Sequence, residues 1–309
     1  MKLLAKAGED RYQSARGLCV DLAACLGGGL NPDFLPGRHD VADEIRIPEK
    51  LYGRANEVDE LMGAFTRAAQ GSTEFLMVAG YSGVGKSALV HEVHKPIVHK
   101  RGYFASGKFD QFKRNIPYSA IIGAFQELTR QILTESRSAV EGWRAEILDS
   151  VQQNGQVIIN VIPEIEFIIG SQPPVPDLLP AETRNRFNLV FLSFIKVFAQ
   201  SQHPLVLFLD DLQWADAATL GLLRSIAQDN TLRHLLKIGA YRDNEVGPDH
   251  ALAHSIKEIE SADAYVSRII LQPLRLENLL EFIVDTLHCP VEKVAPLAAL
   301  IHEKTDGNP

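Results

Sequence analysis

The sequence predicts an α/β fold in which five parallel strands form one sheet with helices on both faces. Five short apolar runs have the length of strands, and segments with helical periodicity separate them. The run Leu205–Leu209 contains no polar residue, as expected of a strand that is buried on both faces. Because strands that alternate with helices form parallel sheets, the pattern favours an open sheet that is covered on both sides.

The amino-terminal part is predicted to hold helices and a linker. Residues 1–26 carry apolar side chains at helical spacing, and the breakers Gly27–Gly29 and Asn31-Pro32 end that segment. A polar linker over 27–50 follows, and a helix is predicted from Asn56 onward because apolar residues recur there at helical spacing.

Strands and helices alternate in the remainder of the chain. The predicted strands are Phe75–Ala79, Gly102–Ser106, Leu205–Leu209, Leu235–Tyr241 and Tyr265–Leu271. Helices are predicted over Ser87–Lys95, 277–287 and 291–304. The first of these is expected to end or kink at Pro96, because proline cannot continue the backbone ladder of a helix. A long, mostly helical insertion at about 116–200 is interrupted by Pro173–Pro176.

Composition and charge exclude several classes of protein. Hydrophobic residues make up 46% of the 309 residues, which excludes wholesale disorder. The formal net charge of −8 argues against broad binding to nucleic acid or to an anionic membrane. Cys19, Cys25 and Cys289 show no C-x-x-C spacing, and no apolar run approaches the ~18 residues of a membrane helix. The expected location is therefore the cytoplasm.

A glycine-rich loop carries the clearest chemical signal. Gly80–Ser87 matches the Walker A pattern G-x-x-x-x-G-K-[ST] and lies between a predicted strand and a predicted helix. Glycines let successive N–H groups point at phosphate oxygens, and the helix that follows adds a partial positive charge. The lysine of the motif reaches the β- and γ-phosphates, and its serine ligates Mg²⁺. The predicted nucleotide-binding residues are Gly80, Ser82, Gly83, Val84, Gly85, Lys86, Ser87 and Ala88.

Two aspartates end the strand Leu205–Leu209 and predict the metal side of the same site. Asp210 and Asp211 follow an apolar strand at the sheet edge where ligands of open α/β sheets bind. Asp210 is predicted to hold Mg²⁺ through water, together with Ser87, and Asp211 to polarise the attacking water. The alternative is a pair of solvated turn aspartates.

Three further features have both a functional and a structural interpretation. Arg242 follows the fourth strand and is predicted to stabilise charge on the γ-phosphate, with pairing to Asp243 or Glu245 as the alternative. The predicted catalytic residues are thus Asp211, Lys86 and Arg242. Asp216 is a predicted helix N-cap, and Trp214 is predicted to pack beneath the site.

Two other patterns predict little chemistry. His91–His94 is one residue short of H-E-x-x-H and predicts no metal site. Lys108–Arg114 interleaves basic and aromatic residues as single-strand binders do, but a short loop in an acidic chain favours an ordinary ordered loop.

With these motifs in order, the chain resembles a STAND-class AAA+ ATPase, a type of P-loop NTPase. It is most similar to the ATPase module of large bacterial signalling proteins that also contain a Ser/Thr kinase and a histidine kinase. The resemblance rests on the P-loop and on Leu51–Glu57, Gly107–Tyr118, Asp210–Asp216 and Gly307–Pro309. It implies that ATP and Mg²⁺ are the cofactors, that Gly53 and Arg54 lie against the base and ribose, and that Pro309 contacts adenine.

The amino terminus is similar to a different family. Leu3–Ala15 resembles the last helical segment of a protein kinase C-lobe, in which the arginine at the place of Arg11 braces the activation segment. No catalytic motif of a kinase is present, so the chain alone is not expected to be a kinase. The predicted domains are therefore a kinase remnant at 1–26, a linker at 27–50, a core at 51–272 and the start of a truncated helical lid at 273–309.

The main functional hypothesis is a signalling switch that binds ATP–Mg²⁺ and hydrolyses it slowly. Asp211 stands where AAA+ proteins usually have Glu, and its shorter reach predicts slow turnover. The alternatives are a scaffold that binds nucleotide without turnover and an origin-recognition-like or transcription-regulating ATPase acting on DNA. The partners expected are other domains of a larger signalling protein or a separate protein. Oligomerisation stays open, with Arg184 and Arg186 as candidates for an arginine finger.

Overall fold

A computed structural model confirms the predicted α/β fold with a five-stranded parallel sheet. It describes residues 2–4, 11–27, 34–38, 40, 47–48, 50–112, 116–261 and 266–309. The strands, all parallel, lie in the order β2-β3-β4-β1-β5. They are β1 Thr73–Ala79, β2 Tyr103–Lys108, β3 Leu205–Asp210, β4 Leu235–Tyr241 and β5 Val266–Ile270.

The register of the sheet brings the ends of four strands to one edge. Lys108 pairs with Asp210 between β2 and β3, and Ala79 pairs with Tyr241 between β1 and β4. The residues that follow these strands therefore share the carboxyl edge of the sheet, where the Walker A loop begins at Gly80. The three central strands β3, β4 and β1 are buried along nearly their whole length, as expected inside a parallel sheet that is covered on both faces.

Thirteen α-helices are described along with the sheet. The first seven are α1 Ala15–Leu26, α2 Ala55–Ala69, α3 Lys86–His91, α4 His94–His99, α5 Ser119–Leu133, α6 Arg137–Val151 and α7 Gly155–Ile159. The others are α8 Glu166–Ile169, α9 Pro180–Phe198, α10 Ala217–Gln228, α11 Ala251–Ser261, α12 Leu276–Leu287 and α13 Val291–Thr305. Among the described residues, no helix is both long and apolar enough to cross a membrane.

The helical insertion is confirmed, and an aromatic core holds it together. Helices α5 to α9 occupy the predicted region, and no helix or strand covers 170–179 around the prolines. The ring of Phe125 lies 5.4 Å from that of Phe191 and 5.7 Å from that of Phe194. These side chains are fully buried, and removing such a ring costs about 3–5 kcal/mol.

The structure corrects two helix predictions. Residues 1–26 are predicted to be helical, but the described residues 11–14 are not: α1 begins at Ala15, because the Ser14 hydroxyl caps it by accepting a hydrogen bond from the N–H of Gly17 at 3.0 Å. The helix predicted over 87–95 is two helices, α3 and α4, separated at Glu92–Val93. Pro96 lies within α4, and its ring and missing N–H prevent a continuous helix through the carbonyl four residues earlier.

The chain divides into two compact units. One comprises Arg54–Gln272 and contains the sheet and the insertion; the other comprises Met1–Gly53 with Pro273–Pro309. In the second unit, α12 and α13 pack through Leu279, Ile283, Val294 and Ala298. Gly307 is left-handed there (φ +73°), and a Cβ on it would lie 2.2 Å from the carbonyl oxygen of Leu274. Glycine is therefore required at this position.

Candidate functional site

The loop after β1 has the backbone conformation of a phosphate cradle. Gly80, Gly83 and Gly85 all have positive φ, at +152°, +82° and +97°. A Cβ on Gly80 would lie 2.8 Å from the carbonyl oxygen of Leu271, whereas one on Gly85 would meet no protein atom within 4 Å. The first glycine is thus required by packing and the last by its dihedral angle alone, beside open space.

Lys86 lies within this loop and is held by its backbone. Its ammonium group donates to the carbonyl oxygens of Gly80 at 2.9 Å and Tyr81 at 2.7 Å. The residue is only 7% exposed. Burial lowers the pKa of Lys86 below its usual range, and the charges of Asp210 and Asp211 act in the opposite direction. A charged donor is thereby fixed at the point where the loop closes.

Ser87 and Asp210 meet at the carboxyl edge, as the metal prediction requires. The Ser87 hydroxyl donates to Oδ2 of Asp210 at 3.0 Å, and Oδ1 of Asp210 accepts the N–H of Asp211 at 2.9 Å. A hydroxyl and a carboxylate are hard oxygen donors, which Mg²⁺ prefers. The chemistry of this pair fits Mg²⁺.

Asp211 is buried and its carboxylate is engaged on both oxygens. Its backbone is left-handed (φ +53°) and it is 4% exposed. Oδ1 accepts a hydrogen bond from Nε2 of Gln213 at 3.0 Å and lies 3.3 Å from Nε of Arg242. Oδ2 lies 3.3 Å from the ammonium of Lys108. A water that uses Asp211 as its base must share these oxygens with Gln213, Arg242 and Lys108.

Two residues of this network were missed by the sequence prediction. The sequence predicts an ordinary loop at Lys108, yet this residue ends β2 and its ammonium lies near both aspartates. Gln213 links two strand ends, since it donates to Asp211 and its Oε1 accepts the N–H of Arg242 at 3.2 Å. The predicted strand ends at Ser106, before Lys108, so the sequence alone did not place this side chain beside Asp210.

Arg242 lies at the site and also makes the local ion pair given as its alternative. Its guanidinium pairs with Glu245 at 2.8 Å and with Asp211 at 3.3 Å. It also lies 4.8 Å from the ring of Trp214, in a cation–π contact. Trp214 thus packs against the guanidinium beside the site and holds it there.

Arg54 has a structural role in the described contacts. Its Nη2 donates to the carbonyl oxygen of Gln272 at 2.6 Å and to that of Val84 at 3.4 Å. The residue therefore ties the P-loop to the segment that follows β5. Gly53 and Pro309 belong to the second compact unit, and their contacts with a nucleotide stay predictions.

The remaining predicted features are Asp216, the histidine pair and the stretch Lys108–Arg114. Asp216 caps α10 by accepting the N–H of Thr219 at 2.9 Å, as predicted. His91 and His94 share a hydrogen bond of 3.1 Å between Nδ1 and Nε2. In the stretch Lys108–Arg114, the last two residues lie outside the part of the chain that the structure describes.

The part of the chain that contains these features matches a known protein family. Residues 50–238 match the family described as AAA ATPase domain. That segment contains the P-loop, both aspartates and the helical insertion.

Relatives with long chains match nearly the whole sequence. The hybrid signal transduction histidine kinase G of Dictyostelium discoideum is 29% identical over 99% of this chain and 11% of its own length. The peroxide stress-activated histidine kinase mak3 of Schizosaccharomyces pombe is 19% identical over 100% of this chain and 16% of its own length. The chain thus spans only a small part of these relatives.

Solved structures with similar chain traces include two archaeal proteins. The Aeropyrum pernix ORC2 protein matches with a TM-score of 0.48 at 12% identity, covering 86% of this chain and 61% of its own. Cdc6p from Pyrobaculum aerophilum matches with a TM-score of 0.45 at 15% identity, covering 79% and 51%.

Proposed function

Because the chain belongs to the AAA ATPase domain family, we propose that it binds ATP with Mg²⁺ at the carboxyl edge of its sheet. The observation that carries this proposal is the hydrogen bond of 3.0 Å from Ser87 to Asp210, beside the buried ammonium of Lys86. A hydroxyl, a carboxylate and a lysine in this arrangement suit a metal-bound polyphosphate.

Each residue of the loop has a distinct part in this proposal. The N–H groups of Gly80–Ala88 cradle the phosphates, and Lys86 exchanges its two carbonyl acceptors for β- and γ-phosphate oxygens. Ser87 and Asp210 hold Mg²⁺, which neutralises charge on the phosphates when it is bound. Gly53 and Arg54 lie near the base and ribose, and Pro309 near adenine, as the resemblance to STAND proteins implies.

Hydrolysis is proposed to be slow because of how Asp211 is held. Asp211 orients the attacking water, and Arg242 stabilises the charge that gathers on the γ-phosphate. Gln213, Arg242 and Lys108 all engage the carboxylate of Asp211. A water must compete with these partners for the two oxygens, which reduces the fraction of time in which it is aligned.

We assign the ATPase a role as a nucleotide-dependent switch in signal transduction. The names of its long relatives support this role, since two of them are histidine kinases of which this chain spans 11% and 16%. ATP binding would alter the insertion or the segment 273–309, and neighbouring domains or a partner protein would respond. The kinase remnant proposed at 1–26 fits such a multidomain setting.

A second candidate is a scaffold that retains nucleotide without turnover. The observation that favours it is again the engagement of both carboxylate oxygens of Asp211. Action on DNA has less support, because the chain has a net charge of −8.

Phosphate release separates these candidates. We expect Mg²⁺-dependent release of phosphate from ATP by the purified chain, with a loss of at least about tenfold in Asp211→Asn. Lys86→Ala should lose both binding and release. Tight ATP binding without release would favour the scaffold. Release that is unchanged in both variants would contradict the ATPase proposal, and a salt-dependent gel shift of DNA would favour the third function.

A further inference from the structure

Among the described residues, three cationic side chains lie around the aspartate pair, and one of the three is exposed. Lys86 is buried and its ammonium is bonded to backbone carbonyls. Arg242 is 25% exposed in its side chain and is also held by Glu245 and the Trp214 ring. The side chain of Lys108 is 68% exposed. Because exposed ion pairs are weak, Lys108 is the cation that leaves the carboxylates most easily.

The sheet fixes where Lys108 can reach. Its Cα is the register partner of the Cα of Asp210, and both residues end their strands. Its ammonium lies 3.3 Å from Oδ2 of Asp211 and 3.8 Å from Oδ2 of Asp210. That oxygen of Asp210 is also the acceptor of the Ser87 hydroxyl. Lys108 therefore approaches a carboxylate that the proposed function assigns to metal binding.

The surroundings offer Lys108 a second place to lie. Lys108 is one of the residues that line a cavity of about 420 Å³ at the same edge of the sheet. The other lining residues are Phe109, Asp110, Gln111, Phe112, Ser119 and Trp214. Asp110 also lines this cavity, and its Oδ1 accepts the N–H of Phe112 at 2.9 Å, so the cavity contains a second carboxylate besides the aspartate pair.

From these observations we propose that Lys108 is a built-in competitor of Mg²⁺ for the carboxylates of Asp210 and Asp211. The inference rests on the proposed function, since it takes Asp210 as a metal-holding residue. Because two cations beside one carboxylate repel each other, the ammonium of Lys108 would have to move away from Asp210, toward the cavity, for a metal ion to be held there. Lys108 thereby lowers the affinity for metal and makes nucleotide binding less dependent on Mg²⁺.

The test compares ATP affinity with and without metal. Calorimetric titration of ATP into the whole chain, in Mg²⁺ and in EDTA, gives the ratio of the two dissociation constants. Lys108→Met removes the charge and keeps the length of the side chain. We expect the stimulation by Mg²⁺ to rise about threefold to tenfold in this variant. Lys108→Arg should stay near wild type, as should Lys95→Met, which removes an exposed lysine of α4.

The direction in which the stimulation of ATP binding by Mg²⁺ changes in Lys108→Met decides whether the inference holds. A stimulation by Mg²⁺ in Lys108→Met that is equal to or below that of wild type would overturn the inference. An ATP affinity that falls to the same extent in Mg²⁺ and in EDTA would mean that Lys108 binds the nucleotide instead. These outcomes leave the proposed function intact, because ATP still binds. A wild-type chain that binds no ATP would contradict the proposed function and the inference together.

Discussion

Two regions of the same sheet each contain a buried lysine, and their surroundings differ sharply. At the carboxyl edge, Lys86 is 7% exposed and its ammonium has two carbonyl acceptors, with carboxylates nearby. Inside β4, Lys237 is 3% exposed, and its ammonium lies 5.3 Å from the centre of the Phe75 ring. Burial lowers the pKa of Lys237 to about 8, against the opposing charge of Glu74.

The difference shows that burial of a charge does not by itself indicate a functional site. Lys86 lies where strand ends, a glycine-rich loop and two aspartates converge, so its charge has partners that a phosphate can replace. Lys237 lies at the third position of β4, between Phe75 and Leu207 in the register. Its charge is a cost to folding, whereas we propose that the charge of Lys86 serves ATP binding.

The largest expected effect is the loss of ATP affinity when Asp210 is replaced at the carboxyl edge of the sheet. Asp210→Ala removes the carboxylate that we propose holds Mg²⁺, and it leaves the loop and Lys86 in place. ATP affinity in Mg²⁺ should fall on the order of 100-fold, since charged hydrogen-bond partners contribute about 1.5–3 kcal/mol. Affinity in EDTA should change little. Equal losses in both conditions would show that Asp210 acts through the fold of the loop rather than through metal.

A change at Lys237 should affect stability and leave ATP binding unchanged. Lys237→Met keeps the apolar volume and removes a charge that burial disfavours. The free energy of unfolding at pH 7 should rise by about 2 kcal/mol, measured by urea titration. A decrease would mean that the ammonium makes a favourable contact in the core, and it would remove the contrast with Lys86.

The pH dependence of the free energy of unfolding tests whether the buried charge of Lys237 destabilises the fold. The pKa of Lys237 is about 8 in the folded chain and 10.5 in its usual state. Between these values the unfolded chain binds more protons, so the stability of the wild type rises with pH. We expect a gain of about 1–2 kcal/mol between pH 7.5 and 9.5 relative to Lys237→Met. Parallel pH profiles for the two proteins would contradict this account.

The smallest expected effect is at Asp216, where a carboxylate close to the carboxyl edge is expected to contribute to stability and not to ATP binding. Asp216 lies six residues after Asp210 in the chain but serves α10, by accepting the N–H of Thr219, and also accepts the N–H of Tyr118. Asp216→Ala should lower the free energy of unfolding by about 1 kcal/mol. Its ATP affinity should match that of wild type, and a tenfold loss would extend the site to this residue.

Much of this organisation follows from local sequence, and the exceptions have physical causes. The five strands and the P-loop were predictable because strand periodicity and glycine spacing are local properties. The contact of Lys108 with Asp211 was not predictable, because it depends on the register of β2 against β3 and on strand β2 extending to residue 108. Gln213 was missed because it joins β3 to Arg242 after β4, across 29 residues of chain.

The two corrected helices teach a similar lesson. Apolar spacing predicts helical structure over 1–26, but a capping contact at Ser14 decides where α1 begins. The sequence predicts that Pro96 ends or kinks a helix, and in the structure Pro96 lies at the third position of α4, with the break before it. Periodicity therefore indicates that helices exist, and side-chain contacts set their ends.

The most direct test of the central claim is calorimetric titration of ATP in Mg²⁺ into wild type, Lys86→Ala and Lys237→Met. Both variants lose a buried lysine, one at the start of α3 and one inside β4, so they are matched controls for each other. The account predicts that Lys86→Ala loses ATP affinity on the order of 100-fold and that Lys237→Met binds like wild type. Equal affinities in all three proteins would contradict the assignment of the carboxyl edge as the nucleotide site.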